Sequence, residues 1–342
     1  MGKRTMTDLL LHFSVLMMMA SVASALSSMP KKVAVIGATG RLGRQTVQKL
    51  LSKEIPVKIL VRHDISAVKV PENLENANTS AEVAAYLASL PSVELVKGDV
   101  TNKDSVAELV KDTTAVLAVY GANRKSKLTD ALPWSKCEDD PSHSKQVNYE
   151  GVRNIVTACQ MPGCTCKRIV RITGKGEDPW NPFSILINLL GSMAKAWNNE
   201  GEALLRDCKD VDYTIIRPGV MGRPDCPDGK VLALADNGGD LKVSAIPYST
   251  VADLCIECLD YPNTARATLC AMNVPPGEGE ETYGPLLAKV QPDSRIFPKV
   301  FDEHRRAVRA GAVGISAILC AGIFAIVSAL RACLSFILPA HL

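Results

Sequence analysis

The sequence predicts an α/β fold built on a doubly wound parallel sheet. Short apolar runs of strand length alternate with segments whose apolar residues recur at helical spacing, from Lys31 through the middle of the chain. This alternation predicts parallel strands joined by helical crossovers that cover both faces of the sheet. The chain has 342 residues, which suffices for one such domain with additional terminal segments.

The first part of the alternation begins with the apolar run KVAVIGA. It is followed by RQTVQKLLSKEI, in which Val47, Leu50 and Leu51 share one helical face. The runs VKILVRH and VELVKGDV are predicted to be the second and third strands, with a helix in SAEVAAYLASL between them. A helix in KDSVAELVKD then leads to a fourth strand in TAVLAVYGAN.

The second part follows the polar segment RKSKLTDALPWSKCEDDPSHSK, which is predicted to be a loop insertion. A helix in VNYEGVRNIVTACQ precedes a fifth strand in KRIVRITG. Another helix, EGEALLRDC, leads to the strand DYTIIRP. The fold class therefore rests on a pattern along the whole chain and on no single motif.

Both ends carry apolar segments outside this pattern. A basic start, an apolar run and the small residues around Ala25 predict a signal or targeting segment over residues 1–25, a disordered or amphipathic leader being the alternative. Residues 310–330 contain no charged side chain, which predicts a transmembrane helix, with a buried core helix as the alternative. The globular domain is assigned to residues 31–300.

Charges beside the predicted span bear on localisation. Lys299, Arg305, Arg306 and Arg309 precede it, whereas Arg331 follows it, and this bias favours a globular domain on the cytoplasm-like side. A cleaved signal peptide would instead place the domain in the lumen of the endoplasmic reticulum. A secondary plastid entered through that compartment satisfies both signals. We therefore expect a membrane-associated plastid protein, with the endomembrane system as the alternative.

Composition excludes several classes of function. A formal net charge of +3 gives no basis for nucleic-acid binding. The 11 cysteines are odd in number and show neither disulfide-framework nor zinc-site spacing, so no metal site is predicted. Such cysteines are typical of small buried side chains in a reducing compartment.

Gly37, Gly40 and Gly43 follow the first predicted strand and open the first predicted helix. This spacing, in this context, predicts a dinucleotide-binding turn. Gly37 permits the tight turn, Gly40 lets the backbone approach a pyrophosphate, and Gly43 allows close packing of helix on strand. The free N–H groups at the start of the helix would bind the phosphates.

Two arginines favour NADP over NAD. Arg62 and His63 end the second predicted strand, and Arg41 lies within the glycine turn. Guanidinium groups there suit a ribose 2′-phosphate, which accepts bidentate charge-assisted hydrogen bonds. The alternative is that Arg62 is a surface charge at a strand end.

The ends of the next two strands also carry candidate residues. Asp99 ends the third strand, where its carboxylate either accepts from an adenine amino group or caps the following helix. Tyr120 and Gly121 end the fourth strand, where a glycine lets a cofactor pass close to the backbone.

The chain resembles the atypical short-chain dehydrogenase/reductases of the NmrA-like NAD(P)-binding group, in a plant and algal branch. The motifs are VIGATGRLGRQTVQKLL, VKILVRH, VKGDVTN, RIVRITG and DYTIIRPGVM, over about residues 31–275. The resemblance implies a Rossmann fold that holds NADP(H) along the carboxyl ends of its strands. It implies cofactor contacts at Gly37, Thr39, Arg41, Leu42, Gly43, Arg62, Asp99 and Val100. It also implies that Thr173 lies near the nicotinamide and that Pro218 and Gly219 close over that end.

The chain departs from ordinary short-chain dehydrogenases in one respect. Those enzymes use a Tyr-x-x-x-Lys pair, and none of the seven tyrosines here has a lysine four residues later. Lys195 is the nearest candidate for a catalytic lysine, although Asn198 and Glu200 fall in the same region. The alternative is that Lys195 faces a phosphate or solvent.

Two functions follow from these observations. The first is an NADPH-dependent reductase of an apolar small molecule, placed at a membrane by the C-terminal helix. The second is a non-catalytic NADP(H)-binding redox sensor, or a membrane-anchored scaffold or assembly factor with a protein partner. We expect the first function and keep the second as the alternative, which the missing tyrosine–lysine pair supports.

Overall fold

A computed structural model describes residues 32–131, 134–222 and 231–337. The predicted targeting segment over residues 1–25 lies outside these ranges. The strands are β1 (Val33–Ile36), β2 (Val57–Val61), β3 (Val93–Lys97), β4 (Ala115–Ala118), β5 (Arg168–Ile172), β6 (Asp212–Pro218), β7 (Val220–Gly222), β8 (Val231–Ala235), β9 (Ala245–Pro247) and β10 (Ala267–Val274).

The α-helices are α1 (Arg41–Ser52), α2 (Ser80–Ser89), α3 (Lys103–Val110), α4 (Gly151–Cys159), α5 (Pro182–Leu190), α6 (Ala194–Asp207), α7 (Tyr248–Asp260), α8 (Tyr283–Leu287) and α9 (Phe301–Ile337). Short 3₁₀ turns lie at Leu128–Ala131, Cys137–Asp139 and Pro262–Thr264. A π-helical turn, Lys145–Glu150, runs directly into α4.

The main sheet confirms the predicted doubly wound fold. Its strand order is β3-β2-β1-β4-β5-β6-β10-β8, and all neighbours are parallel except β8, which pairs antiparallel with β10. The chain enters at β1, moves outward through β2 and β3, and returns to the other side of β1 at β4. The order therefore reverses between β1 and β4, and a crevice is expected beyond their carboxyl ends.

Alternate residues of the strands point to opposite faces of the sheet and belong to two separate hydrophobic cores. On β1, Val33 and Val35 belong to the core under α1, α2 and α7, whereas Ala34 and Ile36 belong to the core under α3, α4 and α6. All four side chains are buried. A strand buried on both faces reads as a continuous apolar run, which is why KVAVIGA was recognisable as a central strand.

The C-terminal helix differs from its predicted form. The apolar stretch over residues 310–330 continues α9, which begins at Phe301 in a charged segment, and its early turns pack on α5, where Gly311 lies against Ile185. Among residues that the structure describes, no helix is long and apolar enough to cross a membrane, so the predicted transmembrane helix is not found. The side chains at 315, 318–320 and 331–337 are outside that description.

His304 anchors α9 to the domain. Its ring is fully buried, with Nδ1 3.0 Å from Nδ2 of Asn188 and Nε2 3.2 Å from the side-chain amide of Asn199. The Asn188 oxygen accepts from the backbone N–H groups of Lys195 and Ala196, so its Nδ2 must donate to His304. Nδ1 of His304 therefore accepts this hydrogen bond and carries no proton. Burial, and then the nearby Lys195 ammonium, lower its pKa to about 4, against the opposite effect of Asp178.

This anchor predicts acid-sensitive stability. Unfolded His304 binds a proton near pH 6.5, roughly the value for free histidine, whereas folded His304 binds one only near pH 4. The free energy of unfolding should therefore be unaffected by His304 above about pH 6.5 and should fall as the pH drops from there towards 4. Urea unfolding between pH 7.5 and 4.5 should show a shallower acid loss for His304→Gln than for the wild type. Parallel pH profiles for the two proteins would contradict the assignment.

Candidate dinucleotide site

A cavity of about 970 Å³ opens where the strand order reverses, at the carboxyl ends of the parallel strands. Its lining includes most of the residues predicted from the sequence: Gly37, Thr39, Gly40, Arg41, Leu42, Arg62, Asp99, Val100, Tyr120, Gly121 and Thr173. Gly43, Lys195, Pro218 and Gly219 lie outside the lining. Met221, just beyond Gly219, lines the cavity on that side.

The glycine turn is held by close backbone approach. Gly37 has a φ of +91°, and a Cβ there would lie 2.9 Å from Cβ of Tyr120. A Cβ on Gly43 would overlap the carbonyl group of Gly37. Gly43 therefore has a packing role between α1 and the β1 turn, which explains why it does not line the cavity.

The first turn of α1 presents unsatisfied N–H groups to the cavity. Gly40 is the N-cap and contributes no side-chain hydrogen bond, and the first turn contains no acidic residue. The four N–H groups at the start of an α-helix lack partners within the helix, and the helix dipole adds partial positive charge there. This end of the cavity therefore fits a pyrophosphate.

The side of the cavity near β2 and β3 carries the predicted arginine and aspartate. Arg62 is exposed, and its Nε lies 3.9 Å from Oδ2 of Asp99. Oδ1 of Asp99 accepts from the backbone N–H and hydroxyl of Thr101, while Asn102 caps α3. The alternative role of Asp99 as the helix cap is therefore taken by Asn102, and Oδ2 of Asp99 is directed towards Arg62.

Asp64, the carboxylate that could accept from a ribose 2′-hydroxyl, is turned away. Its Oδ2 accepts from Nζ of Lys97 at 2.7 Å, and it is not part of the cavity lining. The hydrogen bond from Lys97, followed by those from Ser66, holds the pKa of Asp64 below its ordinary value. Of the two carboxylates near this end, Asp99 lines the cavity beside Arg62, whereas Asp64 does not.

At the opposite end, near β5, the hydroxyl of Thr173 is committed to a buried carboxylate. It donates to Oε1 of Glu202 at 2.6 Å, and Glu202 also accepts from Arg206 and Arg217. Burial alone would favour a protonated carboxyl, but the two guanidiniums outweigh it and hold the pKa of Glu202 at about 2. Because ionised Glu202 only accepts, Thr173 presents an oxygen acceptor to the cavity.

Arg171 lies in β5 directly beneath this end of the cavity. It is 1% exposed and donates to the carbonyl oxygens of Ala118 (3.1 Å) and Tyr120 (2.6 Å) and to Oδ1 of Asn198 (3.4 Å). Its guanidinium also stacks 4.1 Å from the centre of the Tyr120 ring. Burial lowers the pKa of Arg171, but an arginine remains protonated in proteins.

Asn198, which the sequence analysis named only as a neighbour of Lys195, lines the cavity. Its oxygen accepts from Arg171, so its Nδ2 group remains to donate, and Asn198 lines the cavity with Thr173. This end of the site therefore combines a hydroxyl acceptor with an amide donor. The signal available in the sequence was its place one helical turn after Lys195, but the buried arginine that orients it comes from a distant strand.

Lys195, the predicted catalytic lysine, is buried elsewhere. Its Nζ donates to Oγ of Ser184 at 2.7 Å between α5 and α6, and its side chain does not line the cavity. Burial, then the nearby Arg217, lower its pKa to about 8. The buried phenol of Tyr120 has no hydrogen-bond partner among the described residues, and burial raises its pKa. The Nζ of Lys195 and the hydroxyl of Tyr120 are thus both buried, and of these two residues only Tyr120 lines the cavity.

Arg124 fixes the polar insertion at the mouth of the cavity. Its guanidinium binds Asp130 at 2.7 Å, Asp140 at 3.0 Å and the hydroxyl of Ser192 at 2.6 Å, and it lines the cavity together with Ser142. Arg124 holds the pKa of Asp130 at about 2. Within the segment predicted as a loop, the described residues around Arg124 therefore form one wall of the cavity.

The crevice, the glycine turn and the uncapped helix start define a Rossmann-type dinucleotide-binding protein. More specifically, the chain belongs to the NAD(P)H-binding family, whose sequence profile matches residues 37–262. The resemblance to NAD(P)-binding short-chain dehydrogenase-like proteins that the motifs indicated is thereby confirmed.

Several known plant and algal proteins are similar to the chain. It is 29% identical over 236 residues to an uncharacterized chloroplastic protein of Arabidopsis thaliana, covering 67% of this chain and 72% of that one. It is 23% identical to the chloroplastic protein TIC 62 of Pisum sativum, with coverage of 56% and 33%. It is 23% identical to the photosystem II assembly factor Ycf39 of Trieres chinensis, with coverage of 68% and 61%. The chain thus spans only about a third of the length of TIC 62.

Among solved structures, a short-chain dehydrogenase/reductase from Veillonella parvula in complex with NADP has the same fold. The TM-score is 0.51 at 14% identity, over 75% of this chain and all of the other. At this identity the match supports the fold alone.

Arg62 should determine the preference for a 2′-phosphate. Arg62→Ala should weaken NADPH binding by about tenfold or more, because it removes charge-assisted hydrogen bonds, and should leave NADH binding almost unchanged. Fluorescence titration with both dinucleotides measures this. Lys103→Ala, which removes an exposed charge outside the cavity lining, is the matched control. An equal loss for NADPH and NADH would defeat the assignment.

Gly43 should tolerate no side chain. In Gly43→Ala the added methyl group would overlap the backbone of Gly37, and α1 would have to move away from the turn. We expect loss of dinucleotide binding together with a lower melting temperature. Gly314→Ala, where an added Cβ meets nothing within 4 Å, should leave both properties unchanged. Wild-type binding by Gly43→Ala would show that the turn does not depend on this packing.

Proposed function

We propose that the protein is an NADP(H)-binding factor of plastids that responds to the dinucleotide and does not turn it over, as a redox sensor or assembly factor. The observation that carries this proposal is the hydrogen bond from Thr173 to the ionised Glu202. It removes the hydroxyl proton from the position at which a carbonyl substrate would need a donor.

A reductase of carbonyl compounds has to stabilise and protonate the developing oxyanion beside the nicotinamide. Thr173 offers only an acceptor there, Lys195 is bound to Ser184, and the Tyr120 phenol is buried. Bound NADP(H) would supply redox chemistry, but the groups at its reactive end are arranged to hold a carboxamide-like group. The donor of Asn198 and the acceptor of Thr173 suit such a group.

The choice of NADP is supported by charge at the other end of the cavity. Arg41 and Arg62 line it, while Asp64 is engaged by Lys97. These observations favour NADPH over NADH.

Plastid localisation and a protein partner are supported by the relatives and by the surface. The Arabidopsis and pea relatives are chloroplastic, and the Trieres relative is named as a photosystem II assembly factor. On α5, Phe183, Leu186 and Leu190 expose about half of their surface along one face. An exposed apolar stripe of this kind is typical of a protein-binding surface.

An NADPH-dependent reductase of an apolar small molecule is the second candidate, and Tyr248 is the observation that favours it. Its side chain lines the cavity beside Met221 and carries a phenol that could donate a proton. This candidate differs from the first in requiring turnover that depends on Tyr248.

The two functions are separated by one experiment. Purified protein is titrated with NADPH by calorimetry and then assayed for NADPH oxidation against quinones, enones and aldehydes. The sensor proposal expects saturable binding with no oxidation above the rate without protein. Oxidation by the wild type that is lost in Tyr248→Phe, with NADPH binding retained, would instead establish the reductase.

A further inference from the structure

We propose that Arg171 makes the site select the reduced cofactor, NADPH, over NADP⁺. The inference rests on the proposed binding of NADP(H). The two forms share every phosphate, and they differ in the nicotinamide ring, which is positively charged when oxidised and neutral when reduced. A fixed positive charge near that ring therefore discriminates between them.

Arg171 is such a charge because its partners are neutral. Its hydrogen bonds go to two backbone carbonyls and to the amide oxygen of Asn198, and its Nε is buried without a partner among the described residues. A buried ion is normally paired with an opposite charge. Here the described contacts of the guanidinium provide dipoles and the Tyr120 ring instead.

The neighbouring ion network leaves little charge to neutralise Arg171. It holds equal numbers of guanidinium and carboxylate groups: Arg206, Arg217 and Arg295 with Glu177, Glu202 and Asp293.

Glu202 is the acidic group of this network that acts on Arg171 most directly. It already accepts from both Arg206 and Arg217. Arg124 is paired with two carboxylates, those of Asp130 and Asp140, but Asp140 is one-third exposed and is therefore better screened by water than Arg171. The excess buried charge beneath this end of the cavity is positive.

The topology places Arg171 at the nicotinamide end. The pyrophosphate site is at the start of α1, and Arg62 and Asp99 lie on the β2–β3 side, which leaves the β4–β5 side for the nicotinamide. Tyr120 and Asn198, which both contact Arg171, line that side. For unit charges several ångströms apart in a protein, a preference for NADPH of at least about tenfold follows.

By linkage, tighter binding of the reduced form makes the bound cofactor easier to reduce. A tenfold preference corresponds to an increase of about 30 mV in the reduction potential of this two-electron couple. The protein would then bind cofactor mainly when the NADP pool is reduced. This preference is a physical basis for the proposed function as a redox sensor.

The test compares the dissociation constants of NADPH and NADP⁺ by calorimetry in five proteins. The wild type should prefer NADPH by about tenfold or more. Asn198→Asp, which puts a carboxylate beside Arg171, and Arg171→Met, which removes the charge, should bring the two constants to within about twofold. Asn198→Ala and Arg171→Lys, which change the same contacts but keep the positive charge, should retain most of the preference.

Equal binding of the two forms by the wild type would overturn the inference and leave the proposed cofactor intact. An unchanged preference in Asn198→Asp or Arg171→Met would also overturn it. If neither form binds the wild type, the proposed function itself fails. Melting temperatures identify any variant that does not fold, and Asn198→Asp, at a cavity-lining position, provides the test if Arg171→Met is such a variant.

Discussion

The contact between Gly43 and the carbonyl of Gly37 sets the position of the first helix against the sheet. Because neither residue has a side chain, α1 begins immediately after the β1 turn, and its unsatisfied N–H groups face the reversal point of the strand order. The end of the cavity at the start of α1 follows from this approach. A residue larger than glycine at position 43 would move α1 away from the sheet and would open the turn after β1.

A second constraint shapes the opposite end of the cavity. Glu202 and Arg217 form an ion pair that is almost wholly buried, and the arrangement persists because Arg206 and Thr173 satisfy the remaining lone pairs of the carboxylate. Because this ion pair keeps Glu202 ionised, Thr173 has to donate its hydroxyl proton to Glu202. As a result, the Thr173 hydroxyl proton points to Glu202, and Thr173 offers the cavity an acceptor.

The fold and the phosphate end of the site could be predicted from the sequence, since they depend on local patterns such as strand-helix alternation and glycine spacing. The end near Thr173 could not. Arg171, Asn198 and Glu202 acquire their roles from partners on other strands and helices, and a lone buried arginine in a strand gives no periodic signal. The burial of Lys195 could not be predicted either, because it depends on Ser184 in a preceding helix. The predicted transmembrane helix rests on the uncharged stretch over residues 310–330, whereas the packing of the early turns of α9 on α5 depends on a distant part of the chain.

The contacts of Arg124 with Asp130, Asp140 and Ser192 affect the entropy and the rate of ligand binding. An insertion of this length would ordinarily lose conformational freedom when a ligand arrives, at a cost in affinity. Here two carboxylates and a serine hydroxyl restrain the described residues around Arg124 within the folded protein, before any encounter with a ligand. The wall of the cavity is therefore preorganised, and association should be governed by diffusion into an existing opening more than by closure of a loop.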